Sequence, residues 1–261
     1  TIARAIKTKE GVTTSNQAFA DQQMNIWEKH WNVGDIPDYA TTSTDDTVDP
    51  TKITVSRAEI DDYKGIMRSF KSNTAVAFDN LRPHQVAYLS DEAIIELIKL
   101  YKRCEILQRW PQIWKTSTMV MIPKAEEDKW RLIAILATPY RIWARRAGEM
   151  VSIWAEQMAN YGASWIGYGP GTSSEAVVYM ASLIAEGGGG RNDDVTVTVI
   201  SDLEKGFEKV LHSKLVAAAK VYDFPEVVLN LALDMYRAER RIRCGAAFSR
   251  SVRTNMGVLA G

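Results

Sequence analysis

Cysteine is nearly missing from this chain: Cys104 and Cys244 are the only two in 261 residues. Neither has a second cysteine two residues away, so there is no disulfide framework and no sulfur-based zinc site, and the chain reads as intracellular with packed, inert thiols. Histidine is scarce as well. His30, His84 and His212 stand far apart, with no carboxylate or cysteine at ligand spacing. A charge surplus is also absent, since Lys+Arg and Asp+Glu are both 32. Zero net charge argues against a protein that coats nucleic acid through charge alone. No apolar run approaches the roughly 18 to 20 residues that span a bilayer, and TIARAIKTKEGVTT lacks the apolar core of a secretory signal. A soluble chain with no membrane partner is expected. No internal repeat of fixed period is present. What remains is an ordinary globular composition, 46% hydrophobic and 25% charged, long enough to bury one large core or two small ones.

Helical spacing of Phe19, Met24, Trp27 and Trp31 predicts a helix over 16–31, with Ser15 or Asn16 as cap. The run DIPDYATTSTDDTVDP reads as a linker, and its Asp45, Asp46 and Asp49 as solvated carboxylates. Ser56–Glu59 is a capping box for a helix to about Phe70, and Ser90-Asp91-Glu92 opens another that continues to Leu107. The connector between them carries Lys71, Asp79 and Arg82. STMVMIPK and WRLIAILA, separated by AEED and Lys129, form a hairpin signal over 117–136. A long helix follows from about Pro139 to Tyr161, with Ile142, Trp143, Met150, Ile153, Trp154 and Met158 inward. TSSE at 172–175 caps a helix that ends at Gly187–Gly190. VTVTVISD predicts a strand over 195–202 that delivers Asp202 at its end. Helices near 207–222 and 225–239 and a hairpin from RRIRCG and AAFSRSVR complete the pattern.

Several segments invite chemistry. Asp202 sits where a rigid strand end can present a metal ligand, or where aspartate caps the next helix. Phe207 is either a platform beside that carboxylate or a core aromatic on the first helical turn. Asp193-Asp194 follows GGGGRN and reads as a solvated loop pair, while GYGPG at 167–171 lacks the Lys-Ser/Thr of a phosphate loop. The cations are concentrated locally: residues 99–150 hold eleven Lys or Arg against five acids, and residues 236–253 hold six Arg against Glu239. Such stretches suit a groove that tracks a phosphate backbone, or else a solvated face.

In order along the chain stand IPK at 122–124, RLIAIL at 131–136 followed by YRIW, SDLEKGF at 201–207, the basic hairpin, and GVLAG at 257–261. This series resembles the polymerase domain of reverse transcriptases, most nearly the non-long-terminal-repeat retrotransposon type. That family shows a proline-lysine turn, an arginine-led strand with a YRI or YKI helix, DLxKAF, a hairpin and a GxxQG turn. The resemblance runs from about residue 65 to the end, and KSNTAVAFDNLRP is similar to the family's leading segment.

The resemblance implies an α+β right-hand polymerase fold, with helices around a small antiparallel palm sheet and the 117–136 finger hairpin standing apart. Residues 1–55 would be a helical extension and linker, 56–190 the fingers and their connection, and 191–261 the first part of the palm. It implies RNA template, DNA primer and deoxynucleoside triphosphates as partners, and Mg2+ or Mn2+ as cofactor. Asp202 matches the first catalytic carboxylate, and Leu203 would offer its carbonyl to the nucleotide-side metal. Lys124, Arg131, Lys205, Gly206, Phe207, Ala260 and Gly261 match nucleotide-binding positions. Phe207 would exclude a ribose 2′-hydroxyl by bulk. From the charge clusters rather than the resemblance, Arg145, Arg146, Arg241 and Arg243 are expected along the nucleic-acid backbone, with a solvated helix face as the alternative for Arg145 and Arg146. Four positions depart from the pattern: Leu132 and Leu259 replace prolines, Gly206 replaces alanine, and Ala260 replaces the glutamine that helps position the nucleotide. The family's aromatic-x-Asp-Asp motif would follow GVLAG. The expectation is therefore fingers plus part of a palm, inactive alone, since two divalent ions about 3.5 to 4 Å apart need more than one carboxylate.

Overall fold

Local signals start most of the helices. The structure, a computed structural model, describes residues 6–8, 11–32, 49, 52–125, 129–159, 179, 182–183 and 205–259. After the two short antiparallel strands β1 (Ile6–Thr8) and β2 (Gly11–Thr13), α1 (Asn16–Trp31) opens on Ser15, whose hydroxyl accepts the Ala18 N–H at 3.3 Å. Helix α2 (Arg57–Arg68) carries the complete capping box of Ser56 and Glu59. A one-turn α3 (Pro83–Val86) precedes α4 (Asp91–Leu107), capped by Ser90 and stopped where Gln108 turns left-handed at φ 50°. Then come β3 (Thr116–Pro123), β4 (Trp130–Ile135), α5 (Thr138–Ala159), α6 (His212–Val221), α7 (Glu226–Tyr236), β5 (Glu239–Cys244) and β6 (Ala247–Phe248). The class is α+β, with seven helices and one four-stranded mixed sheet among the described residues.

The chain divides into two compact units, Thr1–Ala147 with Lys205–Gly261, and Gly148–Glu204. In the second unit, the described part is mainly the last turns of α5, where the Ser152 hydroxyl donates to the Gly148 carbonyl at 2.9 Å. The expected inward stripe of α5 holds at Ile142 and Trp143, both buried, and fails at Met150 and Ile153, which are exposed. The stripe crosses the boundary between the units, and only its first half belongs to the first unit's core. The expected helix over 172–187, the strand over 195–202, the pair Asp193-Asp194 and the loop GYGPG fall outside the described residues, apart from helical positions 179 and 182–183.

Strand order in the sheet is β4-β3-β5-β6. Strands β3 and β4 pair antiparallel, from Thr118 opposite Ile135 to Pro123 opposite Trp130, as the hairpin signal predicts. The hairpin does not stand apart. Its β3 pairs in parallel with β5, Thr116 beside Glu239 through Val120 beside Arg243, so the sheet is mixed rather than antiparallel. A two-stranded hairpin alone is marginal in water, and β5 satisfies the second row of β3 backbone groups. Strand β5 then turns through Gly245, at φ +59°, into β6.

Helix α1 covers one face of this sheet. Met24, Trp27 and Trp31 pack with Met119, Leu132, Ala134, Ile242 and Val252, all buried. Each large side chain so buried contributes about 1.5 to 3 kcal/mol. A second core is aromatic: Trp110 meets Trp143 edge-on at 4.9 Å between centroids, and Tyr63 stacks on Tyr101 at 5.5 Å. Asp234, only 8% exposed, is satisfied by the Trp110 N–H at 2.8 Å and the Lys115 ammonium. Asp79 in the expected connector has a definite task. Its carboxylate accepts the Thr138 N–H at 2.6 Å, so it caps α5 from across the chain.

Candidate nucleic-acid interface

Alternation along a strand sends odd and even residues to opposite faces, and partners across a ladder share a face. Met119, Leu132, Ala134 and Ile242 point toward α1. The intervening residues therefore form the other face. Arg131 lies there opposite Ile122, Arg241 beside Thr118, and Arg243 beside Val120 and opposite Phe248. At the hairpin tip the Lys124 N–H donates to the Lys129 carbonyl at 2.9 Å, which extends the ladder and brings Lys124 two residues beyond Ile122. Two pairs of cations more than 100 residues apart in sequence are placed on one side of one sheet. Lys124, Arg131 and Arg243 are exposed and Arg241 is half-buried. The Arg241 and Arg243 guanidinium groups stand 4.7 and 6.0 Å from the Phe248 ring centroid. Among the described residues none of the four forms an ion pair.

Other members of the two cationic stretches are already engaged. Lys99 pairs with Glu96, Lys102 with Glu59, Lys115 with Asp234 and Arg250 with Glu28. Arg146 pairs with Asp62 at 2.9 Å, and Arg145 lies over the Phe70 ring at 4.6 Å, so these two sit against α2 and the residues that follow it, not on the sheet face. Arg240 is the sharpest departure from a solvated basic hairpin. It is 1% exposed, on the α1 side with Ile242. Its guanidinium lies 4.9 Å from the Trp31 ring centroid, and burial pulls its pKa down to about 10.

A second assembly joins two motif segments 50 residues apart. Residues 205–209 form a turn instead of the first turn of a helix, with Lys205 left-handed at φ 53°. The Phe207 carbonyl accepts the Val258 N–H and the Val210 carbonyl accepts the Gly257 N–H, both at 2.8 Å. Gly257, at φ +84°, is required here: a Cβ would stand 2.7 Å from the Glu208 carbonyl oxygen. Its own carbonyl meets His212 Nε2 at 3.0 Å and Arg240 Nη2 at 3.2 Å. Burial holds the His212 pKa below its usual value, and the nearby Arg237 and Arg240 add to this. Phe207 is 60% exposed, which rules out the core-aromatic alternative and leaves its ring at the surface. Gly206 is half-buried in the same turn. The Lys205 ammonium lies over the Trp27 ring at 5.1 Å and meets His30 Nε2, so its side chain rests on α1, away from the cationic sheet face.

Asp202, Leu203, Ala260 and Gly261 lie outside the described residues. No group of three His, Cys, Asp or Glu side chains able to hold a metal occurs among the described residues. Also among them, no helix is long and apolar enough to cross a membrane. His212, Arg240 and Gly257 form a constellation that composition does not single out. The available signal was parity, which puts Arg240 on the side of Ile242; His212 had none. No protein-family model matches the chain, and no curated protein matches it.

Proposed function

We propose that the chain is a nucleic-acid-binding part of a reverse-transcriptase-like polymerase, whose reaction is template-directed nucleotidyl transfer. The observation that carries this reading is that Lys124, Arg131, Arg241 and Arg243, none of them ion-paired among the described residues, share one sheet face. A sheet face that carries several cations, with no acid among the described residues paired to them, suits a polyanion. Arg offers paired planar donors and Lys a mobile point charge, both suited to phosphate oxygens. Lys124 and Arg131 at the hairpin tip would meet the triphosphate, while Arg241 and Arg243 beside Phe248 would follow the backbone of an RNA template or DNA primer. The pairing of Gly257–Val258 with Phe207–Val210 supports the same reading, because it joins the two segments that the resemblance assigns to the nucleotide.

Asp202 would be the first metal-binding carboxylate, and a divalent ion there would activate the primer hydroxyl. That assignment, and the Leu203 carbonyl with it, rests on the resemblance. The test is affinity for a labelled RNA–DNA hybrid across a salt series. Log K should fall against log salt by about 0.9 for each phosphate neutralised, giving a slope of roughly −3 to −4 for four cations. A flat plot would sink the proposal and leave an α+β domain that serves a protein partner. Binding without catalysis is a second reading, favoured because none of the four cations depends on a metal. It requires that Asp202→Ala leave both hybrid affinity and the biological effect unchanged.

A further inference from the structure

Arg240 is an arginine with almost no access to water, placed under a turn. One nitrogen, Nη2, donates to three carbonyls: Tyr236 and Gly257, both at 3.2 Å, and Met256 at 3.5 Å. The Trp31 ring covers the guanidinium, and Nε is buried without a hydrogen-bond partner. The backbone of Arg240 exchanges two hydrogen bonds of 2.9 Å with Val252, so the residue is fixed in the sheet while its side chain reaches the turn. A buried cation held mainly by carbonyl dipoles is costly unless those dipoles are fixed, and here two of the three belong to the segment that clamps Phe207. The end of α1 grips the same stretch. Asn32 Nδ2 donates to the Arg253 carbonyl at 2.9 Å, and its Oδ1 accepts the Asn255 N–H at 3.1 Å.

We propose that Arg240 is the positioning residue that locks the Gly257–Val258 turn onto Phe207–Val210, so that Phe207 presents its ring at the surface. The use of that ring against a nucleotide sugar rests on the function proposed above; the locking does not. Two carbonyls of the 256–257 segment converge on the guanidinium, and without it they lose a shared donor. The turn then opens locally and frees the Phe207 carbonyl. The bond between the Val258 N–H and that carbonyl is the link that transmits the change.

The experiment is native-state hydrogen exchange on the full chain, comparing wild type with Arg240→Met and Arg240→Lys at low urea. In wild type the Gly257 and Val258 amides should follow the urea dependence of the α4 amides, as members of one cooperative unit. In Arg240→Met they should exchange roughly tenfold faster, through an opening insensitive to urea, while α4 keeps its urea dependence. Arg240→Lys keeps a donor and should restore part of the protection; it also serves if the methionine variant does not fold. If the turn amides still track α4 in the variants, Arg240 is only a stabiliser and the proposal is overturned. Binding of fluorescent deoxy- and ribonucleoside triphosphates separates the two levels. If wild type binds neither while the exchange result holds, the polymerase reading fails and the lock stands. If wild type prefers the deoxynucleotide and Arg240→Met keeps affinity and preference, the positioning role fails and the polymerase reading stands.

Discussion

The two faces of the β4-β3-β5-β6 sheet are built from the same strands and almost the same residue types, yet they put their cations to opposite uses. On the face under α1, Arg240 is buried beside Trp31 and its Nη2 donates to backbone carbonyls. One residue on, Arg241 belongs to the other face and stands over Phe248 with Arg243, and no acid among the described residues is paired to it. The difference comes from strand parity and from what covers each face, not from composition. Buried, a guanidinium organises the chain around it; left unpaired at the surface, it remains available to a partner.

The comparison predicts very different responses to substitution. The largest is expected on the covered face. Trp31→Ala removes a fully buried ring and the aromatic cover of Arg240, and should cost about 3 to 5 kcal/mol in urea unfolding. A loss under about 1 kcal/mol would show that α1 does not form the core of that face. Next is Gly257→Ala, which imposes a side chain at φ +84° and brings it against the Glu208 carbonyl. A loss of about 2 kcal/mol is expected, with the strain felt first at the Phe207–Val258 bond. On the open face the expectation reverses. Arg131→Ala with Arg243→Ala should change stability by less than about 0.5 kcal/mol, yet lower the salt slope of hybrid binding by about 1 for each phosphate that is no longer neutralised. If that pair unfolded the protein, or left the slope unchanged, the two faces would not differ as argued.

Much of this architecture was legible because its causes are local. Ser15, Ser56 and Ser90 cap the helices they were expected to cap, and the hairpin signal found β3 and β4. The parallel pairing of β3 with β5 was not legible, because its register joins residues about 120 positions apart and no local pattern encodes it. Strand alternation could have separated Arg240 from Arg241, but only once β5 was known to have a covered face. The start of α6 at His212, later than the expected 207, has a similar origin: the segment before it gives up helical bonds to pair with Gly257 and Val258. Among the candidate site residues, Lys124, Arg131, Arg241 and Arg243 were found by motif and charge and are brought together by tertiary pairing. Arg145 and Arg146 were found by charge density alone, which does not see Phe70 or Asp62.

The smallest effect tests the junction where the covered face meets the Gly257 turn. His212 is buried and meets the Gly257 carbonyl through Nε2, with Arg237 and Arg240 nearby and the Tyr236 ring 6.2 Å away. Burial lowers its folded pKa below 6.5, so the unfolded chain binds the proton more readily. Stability from this group is therefore complete above pH 6.5 and falls as pH drops toward the folded pKa. The neutral ring can serve the carbonyl through an Nε2–H donor, whereas the charged ring would add a second cation beside Arg240. His212→Gln retains a donor without the titration. It should remove the part of the stability loss that begins just below pH 6.5, while the covered face keeps its stability at neutral pH. An unfolding midpoint whose pH dependence is the same in wild type and His212→Gln would mean that the Gly257 carbonyl depends on Arg240 alone.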